Sequence, residues 1–268
     1  MLKHKRYIPV LIFLILLNIT PYFLLRLGEA LDPYNINLSL AYSSPSRLLP
    51  FGTDSLGRDM FARTIYAAGL SLKVTAQAFL LAFGLALLQG GVAGYTHEKI
   101  PDKIISWIIA LIYTVPFILI VAAVFAVFEP GIEKAYLAIG CLAWAAPARL
   151  VRAEVIQYRT ALFVTAERAL GFSEAKILLR TIIPLSFPPA LISLLYFIPE
   201  LISIEVGLSF FGLGAQPPTP SLGRLIYDGL SEFYTAWWVA LIPSAVLLLI
   251  VSAIYITTHK LEAIVKKH

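Results

Sequence analysis

Two carboxylates, Glu200 and Glu205, interrupt an apolar run and are the groups best suited to acid–base chemistry. Two carboxyl groups on one helix face could share or relay a proton. Five helical residues turn the chain by about 500°, so these side chains point roughly 140° apart and form no paired site. Because an ionisable group at membrane depth usually faces a partner or a wet cavity, we expect Glu205, and also Glu200 nearer the midplane, to pack against neighbours or to line a path. The partner of Glu200 stays open.

The other reactive residue types form no catalytic or metal-binding constellation. His4, His97, His259 and His268 flank apolar runs and are dispersed rather than set at ligand spacing. Cys141 is the single cysteine, so no disulfide can form within the chain. None of the 16 glycines is followed by lysine, so the phosphate-cradling signature of ATPases is absent. We therefore predict a non-catalytic protein that binds no metal, ATP or other cofactor itself.

The composition is that of an integral membrane protein. The chain is 59% hydrophobic and 14% charged, with a mean hydropathy of +0.82, whereas charged residues make up about 25% of soluble domains. A membrane-spanning helix needs about 20 mostly apolar residues. Six runs predict an all-α polytopic fold: residues 7–25, 74–95, 104–128, 135–148, 190–211 and 237–258. The fourth run is short, and we expect it to tilt or to continue as a helix past Arg149.

The topology follows from the first run and from the basic residues. The basic residues at 3–6 resemble the start of a signal peptide, but Pro21, Tyr22 and Phe23 stand where cleavage needs small residues, so we predict a retained span. With both termini inside, 14 of the 21 basic residues are cytoplasmic, as the positive-inside rule requires. The net charge of +5 then reflects topology and anionic lipid, and no nucleic-acid partner is predicted.

Three parts of the chain are predicted. Residues 1–73 contain the first span and an external segment, in which Asp59 caps a helix that lies along the membrane surface. Residues 74–258 form a five-span core that includes a cytoplasmic loop at 149–188. Residues 259–268 form a cytoplasmic tail.

Glycines and prolines inside the runs predict how the helices pack. Gly90 and Gly94 lie four residues apart, and small residues at this spacing let membrane helices approach closely. Pro116 and Pro199 leave carbonyl groups without their usual donors, which membrane helices tolerate beside protein neighbours or water. They indicate kinks beside a cavity, with ordinary packing as the alternative.

Residues 149–183 predict two cytoplasmic helices joined at a glycine. One apolar stripe follows the first helix: Val151, Val155, Tyr158, Leu162, Ala166 and Ala169. Gly171 can adopt the positive φ of a helix C-terminus, Ser173 caps the second helix, and we expect that helix to end at Pro184. Such a loop could fold against the membrane, but a reversal needs only a few residues, which favours a docking surface for a cytoplasmic partner.

The stretch ALGFSEAKILLRTIIP, residues 169–184, resembles the E-A-A…G…L-P loop of permease subunits of bacterial ABC importers with the type I fold. Gly171 matches the glycine of that loop, Pro184 its proline and Ala166 one alanine. Thr165 stands in place of the usual glutamate and Glu167 in place of an alanine. In that family the loop forms a coupling helix that fits a groove in the ATP-binding subunit. The resemblance implies this role for a set of residues that also includes Ala169, Leu170, Ser173 and Glu174.

Two further stretches are similar to the dipeptide/oligopeptide/nickel branch of that family. FGTDSLGRD, residues 51–59, together with the R-x-I-Y-x-A-x-x-S-L pattern after it, resembles the branch's first external segment. EVGLSFFGLGAQPPTPSLG, residues 205–223, resembles the end of its fifth span and the next loop, with Leu222 in place of a common tryptophan. The match favours the C-type partner of a heterodimeric pair, whose members have six spans. The external motif residues are Asp54, Gly57, Arg58 and Asp59.

The resemblance implies a non-catalytic subunit of an importer in the inner membrane. Its implied partners are a homologous permease, two cytoplasmic subunits that bind ATP and Mg, and an external binding protein that delivers di- or oligopeptides. The alternatives are nickel, opine or sugar-phosphate cargo, a gradient-driven transporter with Glu205 as the relay, and a membrane scaffold without transport. A gradient-driven transporter leaves the helix–Gly171–helix segment unexplained.

Overall fold

The computed structural model of the protein describes residues 7–127 and 131–266. Residues 1–6, Phe128 at the end of the predicted third span, and Lys267 and His268 in the predicted tail lie outside the described residues. The helices are α1 Ile8–Ala30, α2 Met60–Tyr95, α3 Ile100–Thr114, α4 Phe117–Val127, α5 Ile132–Ala143, α6 Ala145–Arg159, α7 Leu162–Ala169, α8 Glu174–Ile177, α9 Ile183–Leu195, α10 Phe197–Phe210, α11 Leu222–Ser231 and α12 Trp237–Lys266. A wide π turn, Leu178–Ile182, joins α8 to α9. Within the described residues, β-pairing is limited to one isolated bridge, so the predicted all-α fold is confirmed.

Fewer than the predicted six spans are found when the described helices are judged by length and composition. Four described helical stretches qualify: α1, α2, Ala190–Phe210 and α12. The predicted third span is two helices, α3 and α4, bent by 88° at Pro116, and it makes a fifth span if the pair crosses together. The predicted fourth span is short, because α5 has only 12 residues before Trp144 interrupts it. As expected, the helical path then continues past Arg149 in α6.

Helix α2 runs for 36 residues, from Met60 to Tyr95, without a break. Asp59 caps it as predicted, because its carboxylate accepts a hydrogen bond from the Phe61 N–H at 2.8 Å. No proline and no residue with positive φ interrupts this stretch. The predicted surface helix and the predicted second span are therefore one continuous helix.

The centre of the bundle is α2, which packs against α1, α5, α6 and α10. Its contact with α6 is closest at two glycines. A Cβ atom added to Gly90 would lie 2.5 Å from the carbonyl oxygen of Ala148, and one added to Gly94 would lie 2.7 Å from the carbonyl oxygen of Arg152. Because these distances leave no room for a side chain, the predicted close helix packing at the two glycines is confirmed.

Pro184 does not end a helix, contrary to the prediction. Helix α8 passes into the turn Leu178–Ile182 and then into α9, which contains Pro184 in its first turn. In a regular α-helix a proline ring clashes with the carbonyl group four residues earlier. The wider π turn makes room for the ring, so the chain stays helical.

The predicted apolar stripe over residues 151–169 is divided. Helix α6 ends at Arg159 and α7 begins at Leu162. The helical repeat is therefore interrupted, and the apolar positions of α6 do not continue in register into α7. Val151 and Val155 are buried, but Leu162 is 89% exposed, and Val164 takes the buried position in α7. The prediction of a single stripe was wrong because it assumed one uninterrupted helix.

Replacing Gly94 with alanine tests the contact between α2 and α6. The new methyl group would lie 2.7 Å from both the Arg152 carbonyl oxygen and the Val155 Cβ atom. We expect this overpacking to cost about 1–3 kcal/mol and to lower the melting temperature in detergent. Gly84→Ala in the same helix is the matched control, because nothing lies within 4 Å of its added Cβ atom. Equal melting temperatures for the two variants would contradict the packing described here.

Candidate functional site

The loop at residues 160–177 is built around a helix end at Gly171. The φ angle of Gly171 is +81°, which residues with a side chain rarely adopt. The Gly171 N–H donates to the Arg168 carbonyl oxygen at 3.0 Å, and the Phe172 N–H donates to the Glu167 carbonyl oxygen at 3.2 Å. This pair of bonds is the Schellman motif that ends α7. The helix end predicted at Gly171 is confirmed.

Ser173 starts α8 as predicted, and side-chain bonds fix the loop in place. The Ser173 Oγ accepts a hydrogen bond from the Lys176 N–H at 3.4 Å. Arg168 Nε donates to the Glu174 carboxylate at 3.0 Å, and Tyr95 Oη donates to the Glu174 carbonyl oxygen at 3.2 Å. Since Tyr95 is the last residue of α2, the loop is attached directly to the central helix.

Apolar side chains are exposed on both sides of Gly171. Leu162 is 89% exposed, Leu170 75% and Phe172 40%. Ala166 and Ala169 are exposed beside them. Exposed apolar patches mark protein or membrane interaction sites. These exposed residues are called the docking surface below, after the role predicted for the loop. A cavity of about 160 Å³ adjoins it, lined by Glu167, Phe172, Lys176, Ile177, Arg180 and Thr181.

The remaining residues of the predicted coupling set are less exposed or more distant. Glu167 is partly buried, and one of its carboxylate oxygens accepts a hydrogen bond from Thr181 Oγ1 at 2.9 Å. Its other oxygen is buried and has no hydrogen-bond partner among the described residues. Pro184 lies beyond the π turn, in α9. The structure thus brings together the residues from Ala166 to Glu174 and leaves Pro184 outside the docking surface.

A buried charge cluster, which the sequence did not reveal, joins the start of α3 to α6. Asp102 is 3% exposed and accepts two hydrogen bonds from the Arg152 guanidinium, at 2.6 and 2.8 Å. The His97 ring lies 3.2 Å from this carboxylate, and the Glu98 N–H donates to it at 2.9 Å. The hydrogen bond to Asp102 raises the pKa of Arg152, which therefore stays charged. The only signal in the sequence was that these residues flank predicted spans on the same side.

Asp54 lies at the centre of the predicted external motif. Its carboxylate is nearly buried and accepts hydrogen bonds from the N–H groups of Leu56 and Arg58, both at 3.0 Å. Arg58 Nε donates to it at 2.7 Å, and Arg63 Nε lies 3.3 Å away as an ion pair. The motif's charges therefore neutralise one another inside the fold, which gives Asp54 and Arg58 a structural role.

Gly57 and Asp59 shape the backbone of the same motif. Gly57 has a φ of +70°, and an added Cβ atom would lie 1.8 Å from the Asn37 carbonyl oxygen. Asp59 forms the isolated bridge with Thr53 and also caps α2. The Thr53 carbonyl oxygen in turn accepts a hydrogen bond from Trp238 Nε1 at 3.0 Å. The motif thus fastens the start of α2 to the start of α12.

A polar cavity of about 240 Å³ opens between this motif and α11. Arg58 and Arg63 line one part of it, and Asp228 and Glu232 line another. Nearby, burial and a hydrogen bond with Glu232 raise the pKa of Tyr42, so its phenol stays neutral. Charges of both signs therefore face this cavity.

The two carboxylates of α10 occupy different environments, as their spacing predicts. Glu205 is 1% exposed and accepts a hydrogen bond from Ser209 Oγ at 2.9 Å, so it packs inside the bundle. Glu200 lines a mostly apolar cavity of about 230 Å³ beside the bend at Pro116. Pro199 lies in the first turn of α10 and is not one of the described residues that line this cavity. The kink predicted at Pro116 is therefore confirmed, and it borders a cavity.

Residues 85–258 match the family described as "Binding-protein-dependent transport system inner membrane component". The chain belongs to this family. The matched range includes the docking surface, the Asp102–Arg152 pair and both carboxylates of α10. The predicted membership in an importer permease family is confirmed.

Over most of its length the chain is similar to permease proteins of named transport systems. The dipeptide transport system permease protein DppC of Bacillus subtilis (strain 168) is 33% identical over 222 residues, which is 81% of this chain and 69% of that protein. The oligopeptide transport system permease protein OppC of the same organism is 31% identical over 207 residues, 77% of this chain and 68% of that protein. The glutathione transport system permease protein GsiD of Escherichia coli O6:K15:H31 is 33% identical over 246 residues, 90% of this chain and 80% of that protein. The predicted branch of the family is confirmed.

The fold is similar to that of a chain of the MetNI methionine ABC transporter, solved in inward-facing conformations. The TM-score is 0.64 at 18% sequence identity, and the match covers 76% of this chain and 97% of that chain. At this identity the likeness concerns the fold alone. It agrees with the predicted type I importer permease fold.

Arg152→Met tests the buried charge cluster. The change leaves the Asp102 carboxylate buried without its charged partner, which typically costs about 3–5 kcal/mol. We therefore expect a large fall in the melting temperature of the detergent-solubilised protein. The double variant Asp102→Asn/Arg152→Met removes both charges and should recover most of that loss. A double variant as unstable as the single one would refute the idea that the unpaired carboxylate causes the damage.

Proposed function

We propose that this chain forms one half of the translocation path of an ATP-driven importer of di- or oligopeptides, which an external binding protein delivers. The observation that carries the proposal is the docking surface around Gly171 on a chain of this permease family. The names of the relatives support a peptide cargo, since they refer to dipeptides, oligopeptides and glutathione, which is itself a tripeptide.

In this proposal the chain is a non-catalytic subunit and its partners supply the energy. Two cytoplasmic subunits bind and hydrolyse ATP with Mg, and one of them docks on Leu162, Leu170 and Phe172. A homologous permease supplies the other half of the path. The docking surface and both chain termini lie on the cytoplasmic side, as the distribution of basic residues favours.

The helices of the chain offer a physical route from the docking surface to the membrane. Helix α8 continues through the π turn into α9, and α10 follows after a single interruption at Tyr196. A force on the docking surface therefore acts along a nearly continuous helical path towards Glu200. Tyr95 passes the same force to α2 through its hydrogen bond with Glu174. Binding of ATP by the partners would thereby shift the population between inward-facing and outward-facing states.

Isolation and reconstitution of the assembly test the proposed function. We expect a second permease and ATP-binding subunits to co-purify with the chain in mild detergent. In proteoliposomes with the binding protein present, we expect uptake of dialanine that requires ATP. Uptake driven by a proton gradient in the absence of ATP would instead support a secondary transporter. An assembly without any ATP-binding subunit would contradict the proposal.

Gly171→Val tests the role of the docking surface. Nothing lies within 4 Å of a Cβ atom added to Gly171, so the variant is strained only through its φ of +81°. Such strain amounts to about 1–3 kcal/mol and should redirect α8. We expect the co-purifying ATP-binding subunit and ATP-dependent uptake to fall about tenfold.

Gly212→Val is the matched control for this experiment. Gly212 has a φ of +77° and equally open surroundings, but it follows the far end of α10. We expect this variant to keep the ATP-binding subunit. Equal loss of the subunit in both variants would show that backbone strain, rather than the docking surface, is responsible.

A further inference from the structure

The cavity beside Glu200 lies where two helical paths are interrupted. One interruption is the 88° bend between α3 and α4, and Val115 and Pro116 at that bend line the cavity. The other is the break at Tyr196 between α9 and α10, and Phe197 just after it also lines the cavity. In secondary transporters, substrates bind near the middle of the membrane where helices are discontinuous, and in membrane proteins generally a non-helical backbone at this depth is buried in protein or lines a water-filled cavity. The position of this cavity therefore suits a transported molecule.

Glu200 lies at the centre of its span. It is ten residues from either end of the 21-residue stretch Ala190–Phe210, which corresponds to about 15 Å of helix on each side. It is exposed, and it is the only charged group among the described residues that line the cavity. A carboxylate in the middle of the membrane usually faces a water-filled space or a partner and marks a functional site.

The two carboxylates of α10 differ in their burial and in their hydrogen bonds. Glu205 is buried, and its Oε1 atom accepts a hydrogen bond from Ser209, while its Oε2 atom has no hydrogen-bond partner among the described residues. The carboxylate of Glu200 has no hydrogen bond or ion pair with any other residue in the described part of the chain. It therefore presents an unused negative charge to the cavity, where water or a cationic group can bind.

We infer that Glu200 binds the protonated amino group of the peptide cargo as the cargo passes through the membrane. This inference rests on the proposed function. Every unmodified peptide has a positively charged amino terminus, which is a three-fold hydrogen-bond donor that a carboxylate can accept. Because all unmodified peptides share this amino group, a contact with it accommodates peptides that differ in their side chains.

The size and surroundings of the cavity agree with one end of a peptide as its occupant. Its volume of about 230 Å³ is below the roughly 300–1,000 Å³ of sites that enclose a whole small molecule. A positive charge lies close by, since the Arg149 guanidinium stands over the Tyr113 ring, 4.5 Å from the ring centroid, and Tyr113 lines the cavity.

The test compares Glu200→Gln with Glu200→Asp in the complete importer, reconstituted in proteoliposomes with saturating, dialanine-loaded binding protein. Glutamine keeps the size of the side chain but loses its charge, so we expect dialanine uptake per ATP hydrolysed to fall about tenfold or more. Aspartate keeps the charge and should retain most of the uptake. Assembly and the stimulation of ATP hydrolysis by the loaded binding protein should stay normal in both variants, because neither change touches the docking surface.

Glu29→Gln is the matched control, because Glu29 is an exposed acid near the end of α1, far along the chain from the cavity. We expect it to transport dialanine normally. Normal uptake by Glu200→Gln would overturn the inference while leaving the proposed function intact, and so would an equal loss of uptake in Glu200→Asp and Glu200→Gln. ATP-dependent uptake that is absent even in the unmodified assembly would instead overturn the proposed function.

Discussion

The close contact between α2 and α6 is the constraint on which the rest of the structure depends. The backbones touch at Gly90 and Gly94, where no side chain can be inserted. The ion pair between Asp102 and Arg152 also holds this region of α6 in place. Because α6 leads into the loop that carries the docking surface, this contact determines where that surface lies relative to the central helix. The hydrogen bond from Tyr95 at the end of α2 then fixes the loop from its other side.

The charged residues fall into two physical classes. Asp54 and Asp102 are buried and paired with arginines, so they fix the geometry of the fold, and Asp54 also borders the polar cavity beside α11. Such pairs are costly to break but contribute little net stability compared with apolar packing. Glu200 belongs to the other class, since no arginine among the described residues forms an ion pair with it and its charge is presented to a cavity. Sorting the carboxylates by partner, rather than by position in the sequence, therefore separates groups that support the fold from a group that can meet cargo.

Local backbone chemistry made part of this structure predictable from the sequence. The helix cap at Asp59, the helix end at Gly171 and the cap at Ser173 depend on neighbouring residues only, and all three were predicted correctly. The bend at Pro116 was foreseen as a kink, but its angle of 88° depends on packing that a single run of residues does not encode.

The remaining features could not be predicted from local signals in the sequence. The pairing of Asp102 with Arg152 joins groups fifty positions apart. The helical passage through Pro184 requires a π turn, whereas the sequence alone favours a helix end there.

That π turn determines how α9 and α10 are rotated about their axes relative to the docking surface. The turn Leu178–Ile182 is wider than a regular helical turn, and each residue of a helix advances the side chains by about 100°. Loss of one residue here would rotate Ser186 and Ala190 out of their buried positions and swing Glu200 away from its cavity. Exposed side chains in this linking stretch, such as Leu179, can vary in size and polarity, whereas Ile182 is buried. The length of the stretch in residues cannot change by one without misaligning the helix that follows.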